Sequence, residues 1–183
     1  PGLEDVINSN INFYGWVFPQ FYLEAAVNDL TVKIGHFATL TSYEVVPAVG
    51  NFFYSHTYTM AGYFDPLLVT GMLGEYKVND NWKLLAGFHR GWSMYEDFNH
   101  DLDFLGGVKW RSDNERHNVS LMIDNGAQDP AGDNVRTTSM LVWTWQLNDR
   151  LTYALQNNLG FENNGSVVSP GEDAEWYTLC QWL

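Results

Sequence analysis

Apolar and polar residues alternate with a period of two along most of the chain, and few stretches carry the 3.6-residue period of a helix. This pattern predicts strands at 19–27, 30–39, 67–78, 82–92, 102–112, 117–125, 136–147, 151–162 and 174–183. Each runs to roughly 8–12 residues, where a globular strand averages about 5–6. Ten residues at about 3.3 Å each span about 33 Å, and a 45° tilt brings that to about 24 Å, the height of the apolar band of a membrane barrel.

The predicted connections alternate short and long. The short ones fall at Asn28-Asp29, 79–81, 113–116 and 148–150; the long ones at 40–66, 93–101, 126–135 and 163–173. Asn and Asp suit tight turns because they tolerate the left-handed backbone and bond their own main chain. Three short turns share one phrase, an apolar residue followed by Asn-Asp and a new strand. Short turns at one end and long loops at the other is the arrangement of outer-membrane barrels.

Alternation also separates two faces. Phe21, Leu23, Ala25 and Val27 oppose Tyr22, Glu24 and Ala26; Trp82, Leu84, Ala86 and Phe88 oppose Lys83, Leu85, Gly87 and His89; Val119, Leu121 and Ile123 oppose Asn118, Ser120 and Asp124. A Lys or Arg at the lipid midplane costs about 2–4 kcal/mol, so the charged face is expected to line the lumen. Arg90 breaks this alternation, which predicts a bulge or a strand end there. Tyr76, Trp82, Trp110, Trp145 and Tyr153 fall on the expected lipid face close to the short turns, as an interfacial aromatic girdle would. Phe37, Phe88 and Phe161 are expected to begin a second girdle at the other end.

Charged lumen positions are expected to form a pore lining of Glu24, Lys33, Glu75, Lys77, Lys83, His89, Lys109, Arg111 and Asp124. A two-residue turn at Asn28-Asp29 sets Glu24 opposite Lys33, and face parity sets Lys77 opposite Lys83 with Glu75 nearby. The result is a mixed-sign ring above the short turns that either biases ion passage or only solvates the wall. The 40–66 connection is too long for a plain link and is rich in rings. It is expected to fold into the lumen as a constriction through Glu44, Phe52, Phe53, Tyr54 and His56, or to pack on the rim.

Composition narrows the rest. The net charge is −13, from 22 acidic and 9 basic residues, which disfavours nucleic acid and anionic-lipid-docking helices. Aromatic residues make up 16% of the chain, high for a soluble domain, yet there is no apolar run long enough for a transmembrane helix. Cys180 is the sole cysteine, so neither an internal disulfide nor a cysteine metal cluster is possible. Asp97, Asn99, Asp101 and Asp103 alternate as in a calcium loop, but Leu102 stands where glycine is needed and Val108 where Glu is needed. His89 with Ser93, or Ser55 with His56, lacks a recognisable third group for nucleophilic catalysis. The five histidines show no metal-ligand spacing, and neither catalytic residues, a metal nor a cofactor is expected. Both ends look cut, at Pro1 and within the apolar stretch at Leu183, so a single partial domain over 1–183 is expected.

Several runs resemble the outer-membrane β-barrel porin family described as OmpL-like, found in Gram-negative-type bacteria such as planctomycetes. They are Lys33-Ile34-Gly35-His36-Phe37, Tyr43-Glu44-Val45-Val46, Asn51-Phe52-Phe53-Tyr54-Ser55-His56, Gly87-Phe88-His89-Arg90-Gly91-Trp92, Phe104-Leu105-Gly106-Gly107-Val108 and Ala174-Glu175-Trp176-Tyr177. The resemblance covers roughly residues 18–183 and implies a porin-like barrel with neither cofactor nor catalytic residues. The expected fold is all-β: an antiparallel up-and-down transmembrane β-barrel, present in part as about nine strands. The expected function is passive diffusion of small polar solutes or ions. The expected partners are outer-membrane lipid and lipopolysaccharide, with a homo-oligomer also in view. The alternatives are a non-conducting structural or adhesion barrel and, behind it, a soluble carbohydrate-binding β-sandwich.

Overall fold

A computed structural model describes residues 20–39, 41–61, 64–95, 97 and 99–183. Among them are nine strands: β1 (Phe21–Val27), β2 (Leu30–Ala38), β3 (Leu68–Lys77), β4 (Trp82–His89), β5 (Asp103–Arg111), β6 (His117–Ala127), β7 (Val135–Asn148), β8 (Leu151–Glu162) and β9 (Ala174–Trp182). Each pairs antiparallel with its neighbour in sequence, giving one sheet in the order β1 to β9. This is the all-β, up-and-down architecture that the alternation implied. The sheet does not close on itself, so it is a partial barrel, with β1 and β9 at its edges. No helix among the described residues is long and apolar enough to cross a membrane.

The register follows from the turns. Asn28 takes φ 54°, closing a two-residue link that places Glu24 opposite Lys33 and Val27 opposite Leu30. In the third short turn the left-handed residue is Glu115, at φ 58°, while the Asn114 side chain accepts from the Arg116 backbone N–H. β7 runs one residue beyond its period-two signal at each end, with a bulge between Gln146 and Asn148, and leaves Asp149-Arg150 as the turn. β4 stops at His89, so Arg90 lies past the strand end and not in a bulge. The predicted first residue of the 19–27 strand lies outside the described residues.

The two faces differ sharply. One exposes Ile34, Met72, Leu84, Phe88, Ile123 and Leu159, each about half open or less than half covered by its neighbours. The other buries Leu85, Leu105, Met122 and Met140, with Leu73 packed against them. The buried face is concave: the β2–β3 connection leaves one side of the sheet and bonds to β8 and β9 on the other, as described below. That connection holds a short 3-10 turn at Ala48–Gly50 and a helical turn at Tyr58–Ala61.

Candidate functional site

Lumen-side rows run in register through the sheet. Nearest the short turns, Lys77, Lys83, Lys109 and Ser120 are successive partners across β3 to β6. Glu75 answers two of the lysines, at 2.7 Å from Lys83 Nζ and 3.4 Å from Lys109 Nζ. Lys77 turns to Asp80 in its own hairpin, 2.7 Å away, and Arg111 pairs with Glu115. Glu24 and Lys33 form an ion pair at 3.4 Å, and the Lys33 ammonium lies over the rings of Tyr22 and Phe37. The geometry thus brings Glu75, Lys83 and Lys109 into one network, and keeps Glu24–Lys33 and Arg111 as separate pairs. Lys83, Lys109 and Arg111 line a cavity of about 280 Å³ with Asn118, Ser120 and Thr144.

Nearer the long connections the concave face becomes acidic and buried. His89, Asp103 and Asp124 are each no more than 1% exposed. His89 Nε2 stands 2.7 Å from Asp124 Oδ2, and its Nδ1 stands 3.1 Å from the Gly91 carbonyl oxygen. Asp103 accepts from the Gln128 amide at 2.7 Å. A Cβ on Gly126 would overlap the Asp103 carboxylate, so glycine is required there for close approach, not for backbone freedom. Beside this group the Arg136 guanidinium grips Glu162 at 2.7 and 2.9 Å and lies over the rings of Trp92 and Trp176.

The described parts of the long connection, 41–61 and 64–66, meet the concave face near both ends of that connection. Ser42 Oγ and the Tyr43 N–H both donate to the Gln156 carbonyl oxygen, at 3.0 and 2.9 Å. The Gln156 and Asn158 amides donate in turn to Asp65. Thr59 Oγ1 lies 3.0 Å from Cys180 Sγ, and Tyr43 packs against Trp182. Burial pushes the Asp65 carboxyl above its ordinary value, and hydrogen bonds from Gln156 and Asn158 offset only part of that rise. Of the residues expected to constrict, Glu44 is buried and accepts from Thr57, while His56 bonds the Val45 carbonyl. Phe52, Phe53 and Tyr54 are exposed, so the loop meets the barrel wall through its polar ends and not through these rings.

On the outer face, Tyr76, Trp82, Trp110, Trp145 and Tyr153 all project outward near the short turns. Trp82 and Trp110 are cross-strand partners, as are Trp145 and Tyr153. Trp143 belongs with them: its ring stacks on Trp145 at 6.0 Å and on His117 at 6.2 Å. It shares parity with Trp145, which was the signal available in the sequence. At the opposite end Phe88 and Phe161 point outward, but Phe37 does not. Phe37 is 1% exposed on the concave side, because its parity matches Lys33 and not Ile34.

Sequence reasoning named His89 and Asp124 but not their meeting with Asp103, nor Arg136, Glu162, Gln156 and Asn158. Arg136 and Glu162 were legible by parity. The His89 cluster was not, since its members come from three strands. Asp103 leaves the acidic run of 97–103 to enter β5, while Asp97 caps the Asn99 and His100 N–H groups. Ser93 does not meet His89; its hydroxyl oxygen accepts from the Leu67 N–H at 3.0 Å.

An up-and-down sheet with an apolar exterior, a charged concave face and a loop folded across it defines a porin-like partial β-barrel. A family model described as "Putative beta-barrel porin-2, OmpL-like" matches residues 2–183, and the chain belongs to that family. Comparison with curated proteins and with solved structures gave no match.

Proposed function

We propose that the chain forms part of an outer-membrane channel through which small polar solutes or ions diffuse. The observation that carries this reading is the separation of faces across all nine strands. Apolar side chains point outward to where lipid and lipopolysaccharide would lie, and the Lys, Glu, Asp and His side chains of the strands point mostly into the concavity. The outward Trp and Tyr cluster at the short-turn end matches the headgroup level of one interface. The network of Lys83, Lys109 and Glu75 sets the local field at the narrow turns, and the reading assigns no catalytic role to any residue.

A plugged, non-conducting structural or adhesion barrel is the second reading. It is favoured by the docking of the 40–66 connection across the lumen side onto Gln156 and Asn158. Single-channel recording on the full-length protein in a planar bilayer separates the two. Stable, salt-dependent steps support the channel, with a reversal potential that moves toward cation preference in Lys77→Glu plus Lys83→Glu. A protein that inserts but stays silent supports the plugged barrel. A protein that stays soluble without detergent overturns both.

A further inference from the structure

We propose that His89, Asp103 and Asp124 form a binding site for one divalent first-row transition-metal ion in the barrel wall. One ligand atom from each residue lies within 4.8 Å of the other two. Ligands about 2.1 Å from a tetrahedral zinc stand about 3.4 Å apart, so a small inward shift closes the set. The proposal does not depend on whether the barrel conducts.

Burial gives the physical reason. Two fully buried carboxylates side by side are costly unless charge and lone pairs are answered. Asp103 Oδ1 and Asp124 Oδ1 are buried with no hydrogen-bond partner. His89 answers one oxygen of Asp124, and Arg136 is already committed to Glu162, which leaves the second oxygen of each aspartate unanswered. A metal ion held by one oxygen of each carboxylate would supply the positive charge that this buried pair calls for. The imidazole is arranged for it: Nδ1 bonds the Gly91 carbonyl, which turns Nε2 toward the carboxylates. Gln128 holds the other Asp103 oxygen, a hydrogen bond of the sort that orients metal-ligating carboxylates. Glycine at 71 and 126 leaves space for His89 and Asp103 to converge. One nitrogen and two carboxylates suit Zn²⁺, Co²⁺ or Mn²⁺ better than Ca²⁺, which takes six to eight oxygens.

The test is Co²⁺ titration of the full-length protein refolded in detergent and cleared of metal with chelator. Visible absorption reports ligation, and Zn²⁺ competition reports affinity. The expected result is one equivalent bound per chain, displaced by Zn²⁺. His89→Gln and, separately, Asp103→Asn plus Asp124→Asn should each weaken binding by at least about tenfold. Asp97→Asn plus Asp101→Asn, in the loop outside the cluster, should leave it unchanged. Near-ultraviolet circular dichroism identifies which variants fold, and His89→Gln, which adds no charge, serves if the double variant does not. No stoichiometric uptake, undiminished uptake in a folded His89→Gln protein, or uptake lost only in the Asp97 and Asp101 variant would each overturn the site.

Discussion

Asp65 illustrates how one residue ties the loop to the wall. It is fully buried, yet accepts hydrogen bonds from two amides on β8. Because burial raises its native pKa, the docked loop favours the protonated carboxyl. Docking is therefore strongest at pH below the ordinary Asp range. It weakens as pH rises from there through the raised native value, and is level above it. Hydrogen exchange of the 41–66 backbone should show greater protection as the medium is acidified through that window. Asp65→Asn, which cannot ionise, should flatten the profile; an unchanged profile would mean that another group controls the loop.

At the scale of elements, the loop and β8 form one unit. Gln156 and Asn158 sit two residues apart on the same face of β8, so period two aims both amides at the same partner. Gln156→Ala plus Asn158→Ala removes those donors and also strands the Asp65 carboxylate. The expected outcome is a loop cut by protease within 41–66 while the strands stay protected, together with larger conductance steps. Removing residues 48–59 should do less to the steps than the double alanine, since it spares Ser42, Tyr43 and Asp65. Equal protease resistance in the double variant and the parent would refute the anchor.

For the molecule as a whole, the outward face decides the medium. Ile123 lies mid-strand in β6 between Gly106 and Ser139, in a row with Val32, Ala86 and Leu159. Ile123→Arg places a cation at the centre of that row and should cost about 2–4 kcal/mol of folding stability in lipid. The measurement is urea-driven unfolding in bilayers. Met122→Thr, one residue away but facing inward, probes core packing and not lipid contact, so its cost should not depend on bilayer thickness. Equal dependence of the two variants on the lipid would argue against the membrane assignment of the faces.

Period-two alternation determined the strands and which face carries charge, because a strand's side chains must point to opposite sides, and the short turns between consecutive strands determined their antiparallel order. The turn residues determined the register of the first hairpin and face parity that of the next, so the Glu24–Lys33 pair and the Lys77–Lys83 opposition were readable in the sequence. Phe37 shows where that reading failed: an aromatic class was trusted over parity, and parity won. Only the tertiary structure decided the rest. Asp103, Asp124 and His89 lie on three adjacent strands, and the register across long loops brings them together: His89 faces Asp103, Asp124 faces Leu105, and the Asp103 carboxylate lies over the glycine at 126. Likewise, nothing local to 41–65 or to β8 names Gln156 and Asn158 as its anchors. That contact exists because the sheet curves far enough for a loop leaving β2 to reach β8, a distance that depends on the whole sheet and not on any one segment.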